Sequence, residues 1–107
     1  MDVKSVFSKD ELLIVLACLE FIQRCEHIGE YEFLARLGVT KQEFDNIVAS
    51  WPEPPRGCRE GWWQVARRAL LEVSYGITFE PGEWEVCFRY PRNRIQALYE
   101  RVADSLR

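Results

Sequence analysis

This chain has a single histidine, His27, among its 107 residues, so no pair of imidazoles can be assembled for metal binding or proton transfer. Its four cysteines, Cys18, Cys25, Cys58 and Cys87, include no Cys-x-x-Cys pair. Cys25 lies close to His27, but two ligands with the remaining thiols remote do not make a zinc set. No phosphate-cradling glycine loop is present. The longest apolar stretch, Leu12 to Ile22 with Glu20 inside it, falls short of the roughly 18–20 residues that cross a bilayer. The polar opening Met1-Asp2-Val3-Lys4 has no secretory pattern. These absences lead us to expect a cytoplasmic protein that is not an enzyme, with no cofactor, no metal and no membrane association. Without a secretory pattern, and with Cys18 and Cys25 inside an apolar helix, the thiols are expected to be reduced and buried.

Lysine is also missing beyond Lys41, and all nine bases from residue 56 onward are arginines. Net charge is −3 with a pI near 5.2, which argues against general affinity for nucleic acid or anionic lipid, since both depend on accumulated positive charge. The charge is unevenly distributed. Residues 1–55 hold ten acids and five bases, and residues 56–107 hold seven acids and nine bases.

What is present describes one folded domain over residues 1–107. At 48% hydrophobic and 29% charged, the composition is that of a chain able to bury a core, and the length suits a single one. Ser8 and Glu11 form a capping box, followed at once by the apolar run, so a first helix is expected over about 9–26. It carries a stripe of Leu12, Leu16, Leu19 and Ile22 and is apolar around most of its girth, as a central helix is. A short second helix is expected over 30–37, with Tyr31, Leu34 and Leu37 on one side and Gly38 as its stop. Thr40 and Glu43 repeat the capping box before a third helix with Phe44, Ile47, Val48 and Trp51 at helical spacing. Trp51 to Gly57, with three prolines, cannot continue it.

A fourth helix is expected from about Glu60 to Tyr75, burying Trp62, Ala66, Ala69, Leu70 and Val73, and Gly76 ends it. Trp62 and Trp63 are adjacent and point about 100° apart on a helix, which leaves one of them at a seam or exposed. Residues 84–90 fit either helix or strand. Pro91 is expected at the first position of a last helix with Ile95, Leu98, Val102 and Leu106 buried. An internal echo favours helix for the ambiguous piece. Glu30-Tyr31-Glu32-Phe33 with Arg36 is answered by Glu83-Trp84-Glu85-Val86 with Arg89, each followed by an amphipathic helical pattern. The expected fold is all-α, a bundle of about five to six helices around the central apolar one.

Residues 33–44 resemble a helix-turn-helix, with an alanine, a turn glycine and a capped second helix. The spacing is one residue short, however, and Glu43 and Asp45 on the would-be recognition helix would repel phosphates. Nucleic-acid binding is therefore the alternative reading. His27 reads as a helix-end residue facing carbonyls. The pattern from Glu30 to Thr40 and on through Trp51-Pro52, then Ala69 to Gly76, resembles that of small bacterial helical proteins, and the chain's overall character is similar to that of small bacterial immunity proteins, which neutralise a partner toxin. The resemblance implies an acidic protein-binding module that inhibits a toxin, such as a basic nuclease domain. The candidate partner-binding residues are Glu30, Glu32, Glu43, Asp45 and Glu53, standing in for phosphates, with Tyr31 and Trp51 as anchors.

Overall fold

In the computed structural model, which describes residues 3–24, 28–58 and 61–103, all regular structure is helical. There are seven α-helices and one π-helical turn among the described residues: α1 Val3–Val6, α2 Lys9–Arg24, α3 Glu32–Leu37, α4 Lys41–Ser50, α5 Gln64–Leu71 followed by the π turn Glu72–Gly76, α6 Glu83–Cys87 and α7 Arg92–Val102. The count exceeds the expected five to six by α1, which like α6 is a piece of only four or five residues. Too short to hold an amphipathic stripe, they are set by packing more than by period. The radius of gyration is 12.9 Å, as expected of one folded unit of this length.

Both capping boxes form. The amide of Glu11 donates to Ser8 Oγ at 3.2 Å while that of Ser8 donates to Glu11 Oε1 at 2.9 Å. At α4, the amide of Glu43 donates to Thr40 Oγ1 at 3.1 Å and that of Thr40 to Glu43 Oε1 at 2.9 Å. Each box satisfies two helix-start donors that would otherwise lack partners. Gly38 ends α3 with φ +77°, a left-handed conformation that a side chain would strain. A Cβ there would also press within 3.4 Å of the Arg68 guanidinium.

The core forms where α2 packs on α4 and α5, and α5 on α3 and α7. Its largest enclosed side chains include Phe33, Phe44, Ile14, Leu19, Ile22, Leu37, Leu70 and Ile95. The buried face of α2 is Ile14, Val15, Cys18, Leu19, Phe21 and Ile22. It is rotated from the expected stripe, so Leu12 and Leu16 are only half-buried and Leu13 faces solvent. On α3 the buried pair is Phe33 and Leu37, one helical turn apart, and the expected Tyr31–Leu34 side points outward.

The fourth helix keeps its α form only to Leu71. At Glu72 it widens, and the amide of Ile77 donates to Glu72 O at 2.8 Å, the five-residue step of a π-helix. The widening exposes the Ser74 carbonyl to α7, where Arg92 Nη2 and Gln96 Nε2 donate to it at 3.0 and 3.4 Å. Residues 84–90, open between helix and strand in the sequence, begin with α6. Pro91 is the N-cap of α7, one position earlier than expected, in extended conformation with ψ 145°. Ile95, Leu98 and Val102 are buried as expected, while Leu106, Cys25, His27 and the expected helix end at Glu26 lie outside the described residues. The fourth helix begins at Gln64 and not near Glu60, so Trp62 and Trp63 lie in the turn before it. The thiols divide. Cys18 is enclosed, and burial pushes its pKa far up, whereas Cys58 and Cys87 are exposed, correcting the expectation that all are buried.

Candidate interaction surface

Tyr31 is the N-cap residue of α3, just outside the helix, and no bond from its side chain closes the helix start. The residue is 97% exposed. Leu34, one turn further along the same outer side, is 58% exposed. Glu30 and Glu32 are exposed beside them, and Glu32 reaches the Arg36 guanidinium at 3.2 Å. Arg36 also contacts the Glu72 carboxylate at 3.3 Å, which ties α3 to the π turn. The result is an apolar prominence rimmed by acids. Sequence reasoning found three of its members and grouped Leu34 with Leu37 on one side of the helix, whereas Leu37 is buried and Leu34 is not. The signal that would have corrected this was Phe33, which competes with Leu34 for burial one residue away and is the larger side chain.

The other four candidates are held differently. Trp51 is 9% exposed, its indole Nε1 donates to Leu12 O at 3.1 Å, and its ring meets Phe7 and Trp62 edge-on at centroid distances of 6.5 and 6.1 Å. It is a wall of the core and is withdrawn as a surface anchor. Trp62 and Trp63 are both half-buried against that core, so neither of the adjacent pair is a free aromatic. The Glu43 carboxylate is engaged in its capping box. Asp45 accepts from Lys41 Nζ at 2.5 Å and from Gln23 Nε2 at 3.1 Å. Burial works against its charge, but these two donors and the Lys41 charge outweigh it and hold its pKa below the ordinary value. Glu53 pairs with Lys4 at the surface. The candidate acids therefore do not form one face, and only Glu30 and Glu32 flank an exposed apolar group.

The same geometry bears on the helix-turn-helix alternative. Lys41 is the only base in α4, and it is committed to Asp45, which leaves no unpaired cation on that helix to meet a phosphate.

A crevice of about 280 Å³ opens where the α3–α4 turn, the proline-rich loop and the start of α5 meet, slightly smaller than the usual ligand pocket of about 300–1,000 Å³. Glu43, Arg56, Cys58, Trp62 and Gln64 line it. Among the described residues no group of three His, Cys, Asp or Glu side chains is placed to hold a metal ion, and no helix is long and apolar enough to cross a membrane. No family model matches the chain, and neither a curated protein nor a solved structure matches it.

Proposed function

We propose that this chain is a protein-binding module of the inhibitor type, which takes a basic partner on the outer side of α3 and performs no reaction of its own. The observation that carries this reading is the almost complete exposure of Tyr31 beside Leu34, with Glu30 and Glu32 at the rim. A tyrosine supplies a large, stiff contact surface with one polar end, and leaving it in water has no benefit to the fold itself. The carboxylates speed encounter with a cationic surface and select against acidic ones, while Tyr31 and Leu34 slow departure. A partner that binds nucleic acid, such as a nuclease-like toxin domain, presents a surface of that charge, and occupying it would block its substrate. The neutralising, immunity-type role rests on this blocking geometry together with the acidic first half of the chain.

The test is a photo-crosslinking residue in place of Tyr31, irradiated in cells, with the adduct identified by mass spectrometry. A basic protein is expected. Glu30→Lys with Glu32→Lys should then slow association with that protein by about tenfold at low salt, the difference shrinking as ionic strength rises. Tyr31→Ala should speed dissociation with helical content unchanged. An adduct with nucleic acid or with an acidic protein, or an association rate indifferent to the charge reversals, contradicts the proposal.

A further inference from the structure

α2 turns one side to the core and leaves a stripe outside. Asp10, Leu13, Ala17, Glu20 and Arg24 follow one another at three- and four-residue steps and so share a face. Asp10, Glu20 and Arg24 are exposed, and Leu13 is 52% exposed. Beside this stripe runs an open groove of about 510 Å³ whose opposite wall is Glu85 to Tyr90. Val86 stands on that wall 87% exposed. Two large aliphatic side chains flanking one groove make the kind of apolar surface that a partner covers.

The charges indicate which partner. The α3 patch is acidic at its rim and would repel a copy of itself. The groove is lined by two acids, Glu20 and Glu85, and two bases, Arg24 and Arg89. A rim that sums to zero favours neither a basic nor an acidic stranger, but it complements a surface bearing the same mixture. Along the helix the arrangement is symmetric. Asp10 and Arg24 lie seven residues to either side of Ala17, close to two helical turns each way. If α2 crosses a second α2 antiparallel at Ala17, each Asp10 falls opposite the other copy's Arg24, and the pair forms twice. The alanine at the crossing lets the two backbones approach. Among the described residues neither charge is taken up by an ion pair: Arg24 donates to the Glu20 carbonyl, at 3.3 Å, and Asp10 faces no cation within salt-bridge reach.

We infer that the exposed stripe of α2, with Val86 of α6, is the two-fold interface of a homodimer, its register set by reciprocal Asp10–Arg24 pairs about Ala17. Such an interface is isologous, with the same patch used by both copies, and it shares no residue with the α3 surface, so each can fail without the other.

The test is sedimentation equilibrium of the full chain from low micromolar to about 1 mM, with Asp10→Arg and Arg24→Asp as variants. The wild type should dimerise. Each variant alone places like charges opposite each other in both pairs and should dimerise at least about tenfold more weakly. Mixed in equal amounts, the two variants should form a heterodimer of nearly wild-type affinity, because both pairs are restored, one in its original sense and one reversed. Damage to the fold would not be repaired by mixing, and circular dichroism of each variant checks it separately. A wild type that remains monomeric throughout, single variants that dimerise as well as the wild type, or a mixture that stays monomeric would each overturn the inference.

Discussion

Residues 30–36 and 83–89 each open with an acid, an aromatic and a second acid, each carry an arginine at the seventh place, and each lead through a short helix into a longer one. Yet Tyr31 stands in solvent and Phe33 is buried, whereas the corresponding Trp84 is half-buried and Val86 is exposed. The difference begins with where the helix starts. The turn before α3 closes with the Glu32 amide on Gly29 O at 2.9 Å, and the turn before α6 closes with the Glu83 amide on Glu80 O at 3.0 Å, two residues earlier in the repeated pattern. Tyr31 therefore precedes its helix and Trp84 lies within the first turn of its own. Trp84 is then captured by a cluster, 5.0 Å from Phe79 and 4.5 Å from Phe88 between ring centroids. Its indole donates to Tyr90 O at 2.9 Å, and the Arg92 guanidinium lies 5.5 Å from its ring centroid. The arginines diverge as well: Arg36 bridges two carboxylates, while Arg89 packs over Tyr90. The same local pattern yields an exposed prominence in one place and a structural clamp in the other.

The largest effect that separates the two segments is a truncation. Phe33→Ala should destabilise by about 3–5 kcal/mol and Val86→Ala by less than about 0.5 kcal/mol, as read by urea denaturation, and equal losses would mean the facing is wrong. Leu19→Ala, at the fully enclosed centre of α2, should cost about 2–5 kcal/mol, and Leu16→Ala, half-buried, clearly less. Trp51→Phe removes the indole N–H that donates to the Leu12 carbonyl and should cost about 1–3 kcal/mol. A neutral result would return Trp51 to the list of surface candidates. The longer helices should also differ at their starts. Thr40→Ala removes a capping box and should cost about 0.5–2 kcal/mol, whereas α7 has no side-chain cap at Pro91 to lose.

The smallest effect concerns acid. Burial opposes the charge of Glu11, but the Ser8 amide and the Arg101 guanidinium, 2.6 Å away, outweigh it and hold the carboxyl below its ordinary value of 4.5. A carboxylate with a lower pKa when folded stabilises the protein above its unfolded value and loses that contribution as the pH falls through the folded one. Stability should therefore decline below about pH 4.5, and Glu11→Gln should make that decline shallower. An unchanged slope would show that the Ser8 and Arg101 contacts contribute nothing.

Features that depend on neighbours in sequence were legible in advance. Ser8 with Glu11 and Thr40 with Glu43 settle their bonds within three residues, and the all-helical class followed from such starts and from the stripes in α4 and α7. The orientation of short helices was not legible, because α3 is one and a half turns long and its facing is decided by Phe33 meeting Phe44, 5.2 Å away between centroids, not by its own period. Trp51 was misjudged for the same reason, since its burial depends on Phe7, Leu12 and Trp62, all distant in the chain. The π turn leaves no mark in the apolar pattern at all. Of the candidate site, the acids and the tyrosine of residues 30–32 were visible, and Leu34 was hidden by the competition with Phe33.

The claim that Tyr31 is a binding surface and Trp84 its structural counterpart is tested most directly by hydroxyl-radical footprinting of the protein alone and with the basic partner captured at position 31. The account predicts rapid oxidation of Tyr31 and Leu34 and slow oxidation of Trp84 in the free protein, with strong protection of Tyr31 and Leu34 in the complex and no change at Trp84. A Tyr31 already protected in the free protein, or equally reactive with and without the partner, would contradict it.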